Sequence, residues 1–83
     1  MAENTFVRRE KRELEVLRLL SGGSMRYIAL QTAFVKRTND SPGIFNDVFY
    51  SLIRSGRIVK CEASKLAPYR LTEKGKLLLE ALS

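Results

Sequence analysis

Ser41-Pro42-Gly43-Ile44-Phe45-Asn46-Asp47-Val48-Phe49-Tyr50-Ser51-Leu52-Ile53-Arg54-Ser55-Gly56 holds both ends of one helix and the pattern between them. The Ser41 hydroxyl can accept a hydrogen bond from an orphan backbone N–H of the first turn. Pro42 suits the first helical position, where its missing N–H costs nothing. Gly56 suits the left-handed residue that ends a helix. Between them, Ile44, Phe45, Val48, Phe49, Leu52 and Ile53 recur at three- and four-residue spacing. That spacing predicts a helix over 42–55 with one broad apolar face. Asn46, Asp47, Tyr50 and Arg54 are left on the opposite face, with Ser51 beside them.

Toward the N-terminus, a polar break, Thr38-Asn39-Asp40, precedes Ser41. A second helix is expected before it, over 27–37, with Ile28, Leu30, Gln31, Phe34 and Val35 inward and Lys36-Arg37 at its carboxyl end, where positive charge is favourable. Two helices separated by a short polar break have the layout of a helix-turn-helix. Ser24-Met25-Arg26 is extended at most. Residues 5–21 read as a first helix, capped by Asn4 or Thr5 and closed by Gly22-Gly23. Leu14, Val16, Leu17 and Leu20 gather on one side of it, and Arg9–Glu13 and Lys11–Glu15 stand at i,i+4 on the other.

After Gly56 the pattern becomes extended. Residues 58–63 alternate, with Val59, Cys61 and Ala63 on one side and Lys60 and Glu62 on the other. Cys61 is therefore expected to be buried or half-buried. A connection over 64–68 leads to a second strand at 69–71, making a two-stranded hairpin. Thr72 then caps a last helix over 73–82, with Leu78, Ala81 and Leu82 as its stripe and Leu77 and Leu79 to either side. An isolated hairpin is not stable and must pack on helices. The predicted class is α+β: three helices, a hairpin and a terminal helix in one domain spanning 1–83.

The 83 residues carry a net charge of +6. Residues 1–21 contribute +1, residues 22–60 contribute +4 and residues 61–83 contribute +1. A basic middle between balanced ends suggests a polyanionic partner. There is one cysteine and no histidine. An intramolecular disulfide is impossible, and the Cys/His zinc patterns and histidine-dependent catalytic groups cannot be built. With no acidic cluster or phosphate-binding glycine loop either, no enzyme, metal site or cofactor is expected. No apolar run approaches the ~20 residues of a membrane span, and no signal-peptide core is present, so an intracellular, cytoplasmic protein is expected.

Two motifs carry a family resemblance. Leu52-Ile53-Arg54-Ser55-Gly56-Arg57-Ile58-Val59 resembles the helix-end, glycine and strand-start segment of winged helix-turn-helix DNA-binding proteins. Tyr69-Arg70-Leu71-Thr72-Glu73-Lys74-Gly75 resembles their second wing strand and its turn into the last helix, in the form common in small MarR-like and PadR-like transcription regulators of bacteria and archaea. The resemblance covers most of residues 12–82. It implies double-stranded DNA as partner, with helix 42–55 as the reading helix.

The major groove, about 12 Å wide, admits one α-helix. Asn46, Asp47, Tyr50, Ser51 and Arg54 would then face the bases: Asn can pair with adenine, Arg with guanine, and an acid can accept from cytosine. Phosphate contacts are expected from Arg26, Lys36, Arg37, Thr38, Asn39 and Ser41 before the helix, and from Arg57, Lys60, the wing residue Lys65 and Arg70 after it. A homodimer through the terminal helices is expected, because Phe6, Val7, Leu77 and Leu79 offer apolar surface beyond the core. Two alternatives stay open. Asp47 and Tyr50 on the reading face also suit a protein-binding winged-helix adaptor, and the net charge also suits an RNA-binding module.

Overall fold

The computed structural model describes the backbone of residues 5–83 and the side chains of residues 9–83. The expected cap at Asn4 and the side chains of the apolar pair Phe6 and Val7 lie outside what is described. Helices α1 (Thr5–Ser21), α2 (Tyr27–Thr38) and α3 (Pro42–Arg54) are followed by strands β1 (Ile58–Lys60) and β2 (Tyr69–Leu71) and by helix α4 (Glu73–Leu82). The strands pair antiparallel, with Ile58 opposite Leu71, Val59 opposite Arg70 and Lys60 opposite Tyr69. Met25 adds a one-residue third rung, exchanging backbone hydrogen bonds with Tyr69 at 3.0 and 2.8 Å.

The α2–α3 pair is fixed by its own polar break. Asn39 takes the left-handed conformation (φ 63°) that ends α2, and its N–H donates to the Val35 carbonyl. The Thr38 hydroxyl donates to the Phe34 carbonyl and accepts from the Asp40 N–H. Ser41 Oγ accepts from the Ile44 N–H, 3.3 Å away, and Pro42 occupies the first helical position. At the other end of α3, the Gly56 N–H reaches the Ile53 carbonyl and the Arg57 N–H reaches the Leu52 carbonyl, with Gly56 at φ 76°. This paired closure satisfies the last orphan carbonyls and turns the chain into β1.

Thr72 joins the two ends of the hairpin. Its Oγ1 accepts from the Gly75 N–H at 3.1 Å, capping α4, and donates to the Gly56 carbonyl at 2.6 Å. Gly75 then lies against the backbone of Arg57, whose carbonyl occupies the space a β-carbon would need. The glycine of the Thr-x-Lys-Gly segment is thus required by close approach rather than by a turn.

The core is one continuous cluster: Val16, Leu17 and Leu20 from α1, Leu30 and Phe34 from α2, Phe45, Val48, Phe49 and Leu52 from α3, with Ile58 and Leu71 from the hairpin. Phe49 is its aromatic hub, with ring centroids 5.3 Å from Phe45, 5.2 Å from Tyr27 and 4.8 Å from Tyr69.

Four expectations are corrected by this packing. Ile58, not Val59, faces inward, because Ile58 pairs with buried Leu71 and the pleat then turns Val59 outward. The first strand stops at Lys60. Cys61, whose N–H still bonds the Pro68 carbonyl, is exposed rather than buried, and Ala63 is exposed with it. Ile28 is 66% exposed, because the inner stripe of α2 runs through Tyr27, Leu30 and Phe34, and Ile28, one residue past Tyr27, is rotated about 100° away from it. In α4, Leu78, Leu79 and Leu82 pack on the core while Ala81 is exposed.

Candidate nucleic-acid interface

The outer face of α3 is the complement of its buried stripe. With Phe45, Val48, Phe49 and Leu52 inward, Asp47, Tyr50 and Arg54 are exposed, and Asn46 and Ser51 are half-buried at the edges. The five residues do not stand equally free. Ser51 Oγ accepts from Arg9 Nη2 of α1 at 2.6 Å. Asn46 Oδ1 accepts from the Tyr27 hydroxyl, and the same hydroxyl accepts from Gln31 Nε2 at 3.3 Å. Burial pushes the Tyr27 hydroxyl above its ordinary pKa of 10.0. The nearby Tyr50 adds to that, while the bonds to Asn46 and Gln31 act against it.

Two depressions meet at Tyr50. On one side, Arg9 and Arg12 of α1 line a cleft of about 450 Å³ with Ile44, Asn46, Asp47 and Arg54. On the other, a groove of about 350 Å³ runs between the start of α2 and the wing, lined by Arg26, Tyr27, Ile28, Lys65, Leu66 and Tyr69. Cationic side chains therefore border the α3 face on both sides.

The remaining residues expected on phosphates are dispersed. Arg26 and Lys65 are exposed on the wing-side groove. Lys60 is half-buried, with Nζ 5.9 Å above the Tyr69 ring. Lys36 is exposed in the last turn of α2. Arg37 is turned toward α1, where it pairs with Glu15. Thr38 and Ser41 spend their hydroxyls on the turn and cap described above, and Asn39 is exposed in its left-handed turn. Arg57 is half-buried, and its Nε has no hydrogen-bond partner. Arg70 is placed apart from the others. It lines a separate cleft, with Leu71 of β2 and Lys76, Leu79 and Glu80 of α4, and borders neither depression beside Tyr50.

Sequence reasoning missed Arg9, Arg12 and the exposed apolar pair Ile28 and Leu66. Arg9 was legible only as a partner of Glu13, which it also contacts at 3.3 Å. Arg12 binds both carboxylate oxygens of Asp40, at 3.0 and 3.2 Å, and so ties α1 to the turn before α3. Nothing local in the sequence announces either contact, since the partners lie 42 and 28 residues away. Among the described residues, no group of metal-ligating side chains comes together, and no helix is long and apolar enough to cross a membrane.

A helix-turn-helix followed by a two-stranded wing and a terminal helix, with a one-residue third rung at Met25, defines the winged-helix fold. A solved structure of the same architecture is the crystal structure of SSV1 F-93. It superposes with a TM-score of 0.70 at 22% sequence identity, over 86% of this chain and 79% of that one. No protein-family model and no curated protein matches the chain.

Proposed function

We propose that this protein binds double-stranded DNA sequence-specifically and acts as an intracellular transcription regulator of the small MarR-like or PadR-like kind. In this reading α3 enters the major groove, Asp47, Tyr50 and Arg54 meet base edges with Asn46 and Ser51 at the margins, and the rim cations hold phosphates. The observation that carries it is the arrangement around Tyr50: an exposed, polar helix face bordered by Arg9 on one side and by Arg26 and Lys65 on the other. The winged-helix architecture shared with SSV1 F-93 is consistent with it. A homodimer through α1 and α4 would present two such faces to two half-sites, and Leu77, 62% exposed on α4, is an apolar residue available for it among the described residues.

Fluorescence anisotropy on labelled duplexes from low to high salt is the test. A DNA binder loses affinity along a straight line in log salt, and selection from a random duplex library should then return a motif, palindromic if the protein pairs. Absence of duplex binding at low salt would leave the adaptor reading. A specific observation favours that alternative: Ile28, Leu66 and Tyr50 are 66%, 72% and 52% exposed around one groove, an apolar surface suited to a protein partner.

A further inference from the structure

We infer that Tyr27 is a positioning residue for base reading: by holding the carbonyl oxygen of Asn46, it turns the Asn46 amide outward as a donor only, so that this position of α3 selects guanine over adenine. The inference rests on the DNA-binding reading above and deepens it. An asparagine reads adenine with both ends of its amide, donating to N7 and accepting from N6. It needs a free carbonyl to do so. Here the Asn46 carbonyl accepts from the Tyr27 hydroxyl.

The polarity is set by a relay. Gln31 Nε2 donates to the Tyr27 oxygen at 3.3 Å, which leaves the Tyr27 proton for Asn46. The ring that carries the hydroxyl cannot easily move. It stands edge-on to Phe45 and Phe49, at centroid distances of 5.5 and 5.2 Å, and those two rings are fully buried. The raised Tyr27 pKa keeps the proton in place across the physiological range.

What remains for a ligand is the Asn46 Nδ2, with two hydrogens. Asn46 lies in the N-terminal half of α3 and lines the same cleft as Arg9, Asp47 and Arg54, where a base edge would arrive. Guanine offers two acceptors in the major groove, N7 and O6. Adenine offers N7 beside the amino group of N6, which would meet the Asn46 amide donor to donor. Pyrimidine partners are disfavoured by the same count, since neither presents two adjacent acceptors there. Tyr27 itself need not touch DNA for this effect.

The experiment has three steps. A selected duplex motif is obtained with the unmodified protein, Asn46→Ala locates the base pair whose preference disappears, and guanine and adenine duplexes at that pair are compared for wild type and Tyr27→Phe. Wild type should bind the guanine duplex about tenfold tighter. Tyr27→Phe keeps the ring and frees the amide to rotate, so the ratio should fall to within about twofold. A wild-type preference for adenine, a guanine preference that survives Tyr27→Phe, or an Asn46→Ala variant that changes no position would each overturn the inference while leaving DNA binding intact. Loss of all duplex binding by wild type would instead overturn the proposed function. The wild-type comparison stands whether or not Tyr27→Phe folds.

Discussion

The carbonyl oxygen of Arg57 fills the space that any side chain at Gly75 would have to enter. That carbonyl cannot yield, because it accepts from the Thr72 N–H at 3.0 Å and its residue closes the end of α3. Gly75→Ala is therefore expected to destabilise the protein by about 3 kcal/mol, the upper range for an overpacked site. Gly43, near the start of α3, is the control: a β-carbon there meets only Ser41 Oγ at 3.8 Å. Gly43→Ala should gain about 0.5 kcal/mol through the unfolded chain. Urea denaturation of both variants measures the pair, and equal effects would mean that the approach of α4 to Arg57 is not what selects glycine.

The Arg12–Asp40 pair should be worth more than an ordinary surface ion pair. Both side chains are less than a quarter exposed, and both carboxylate oxygens are engaged. Arg12→Ala is expected to cost about 2 kcal/mol. In a cycle with Asp40→Ala the two losses should fail to add by about 1 kcal/mol, whereas additivity within about 0.3 kcal/mol would show the groups to be uncoupled.

Charge position makes a sharper test of the binding face than charge number. Lys65→Ala and Arg26→Ala should weaken all duplexes alike and reduce the salt slope by about 0.9 each, one phosphate contact apiece. Arg70→Ala should leave affinity and slope unchanged, because Arg70 lines the α4 cleft and neither of the two depressions that border α3. The same slope for all three variants would mean that the bound DNA does not lie along α3.

Tyr27 gives an alkaline signature. Its pKa is raised in the folded state, so the folded protein holds that proton when the unfolded chain has lost it. The contribution to stability is full below pH 10 and is lost as pH rises through the folded pKa. Tyrosinate absorbance of the native protein should contain a component that titrates above 10.0 and disappears in Tyr27→Phe.

How much of this was legible in the sequence depended on whether the decisive partner was local. Helix α3 could be read almost to the residue, since Ser41, Pro42, Gly56 and six spaced apolar side chains all act within one or two turns. The hairpin phase could not. Ile58 and Val59 are adjacent β-branched residues, and only the pairing of Ile58 with Leu71 decides which is inside, carrying Cys61 to the surface with it. The phase of α2 failed at Ile28 for a similar reason: Tyr27 is an amphipathic ring whose inward packing on Phe45 and Phe49 is a tertiary fact. The outward residues of α3 followed from its inward ones. Their attachments to Tyr27 and Arg9 did not, nor did the cleft that Arg70 lines.

Those attachments divide the α3 face into two kinds of position with different evolutionary freedom. Asp47 and Arg54 are exposed and make no described hydrogen bond or ion pair, so either can be exchanged with little consequence for folding. Asn46 and Ser51 are wired to other helices, and any change there is also a change to the scaffold. A lineage drifting toward new targets, or an engineer building a library, would find positions 47 and 54 cheap to vary. Positions 46 and 51 would move only together with Tyr27 and Arg9.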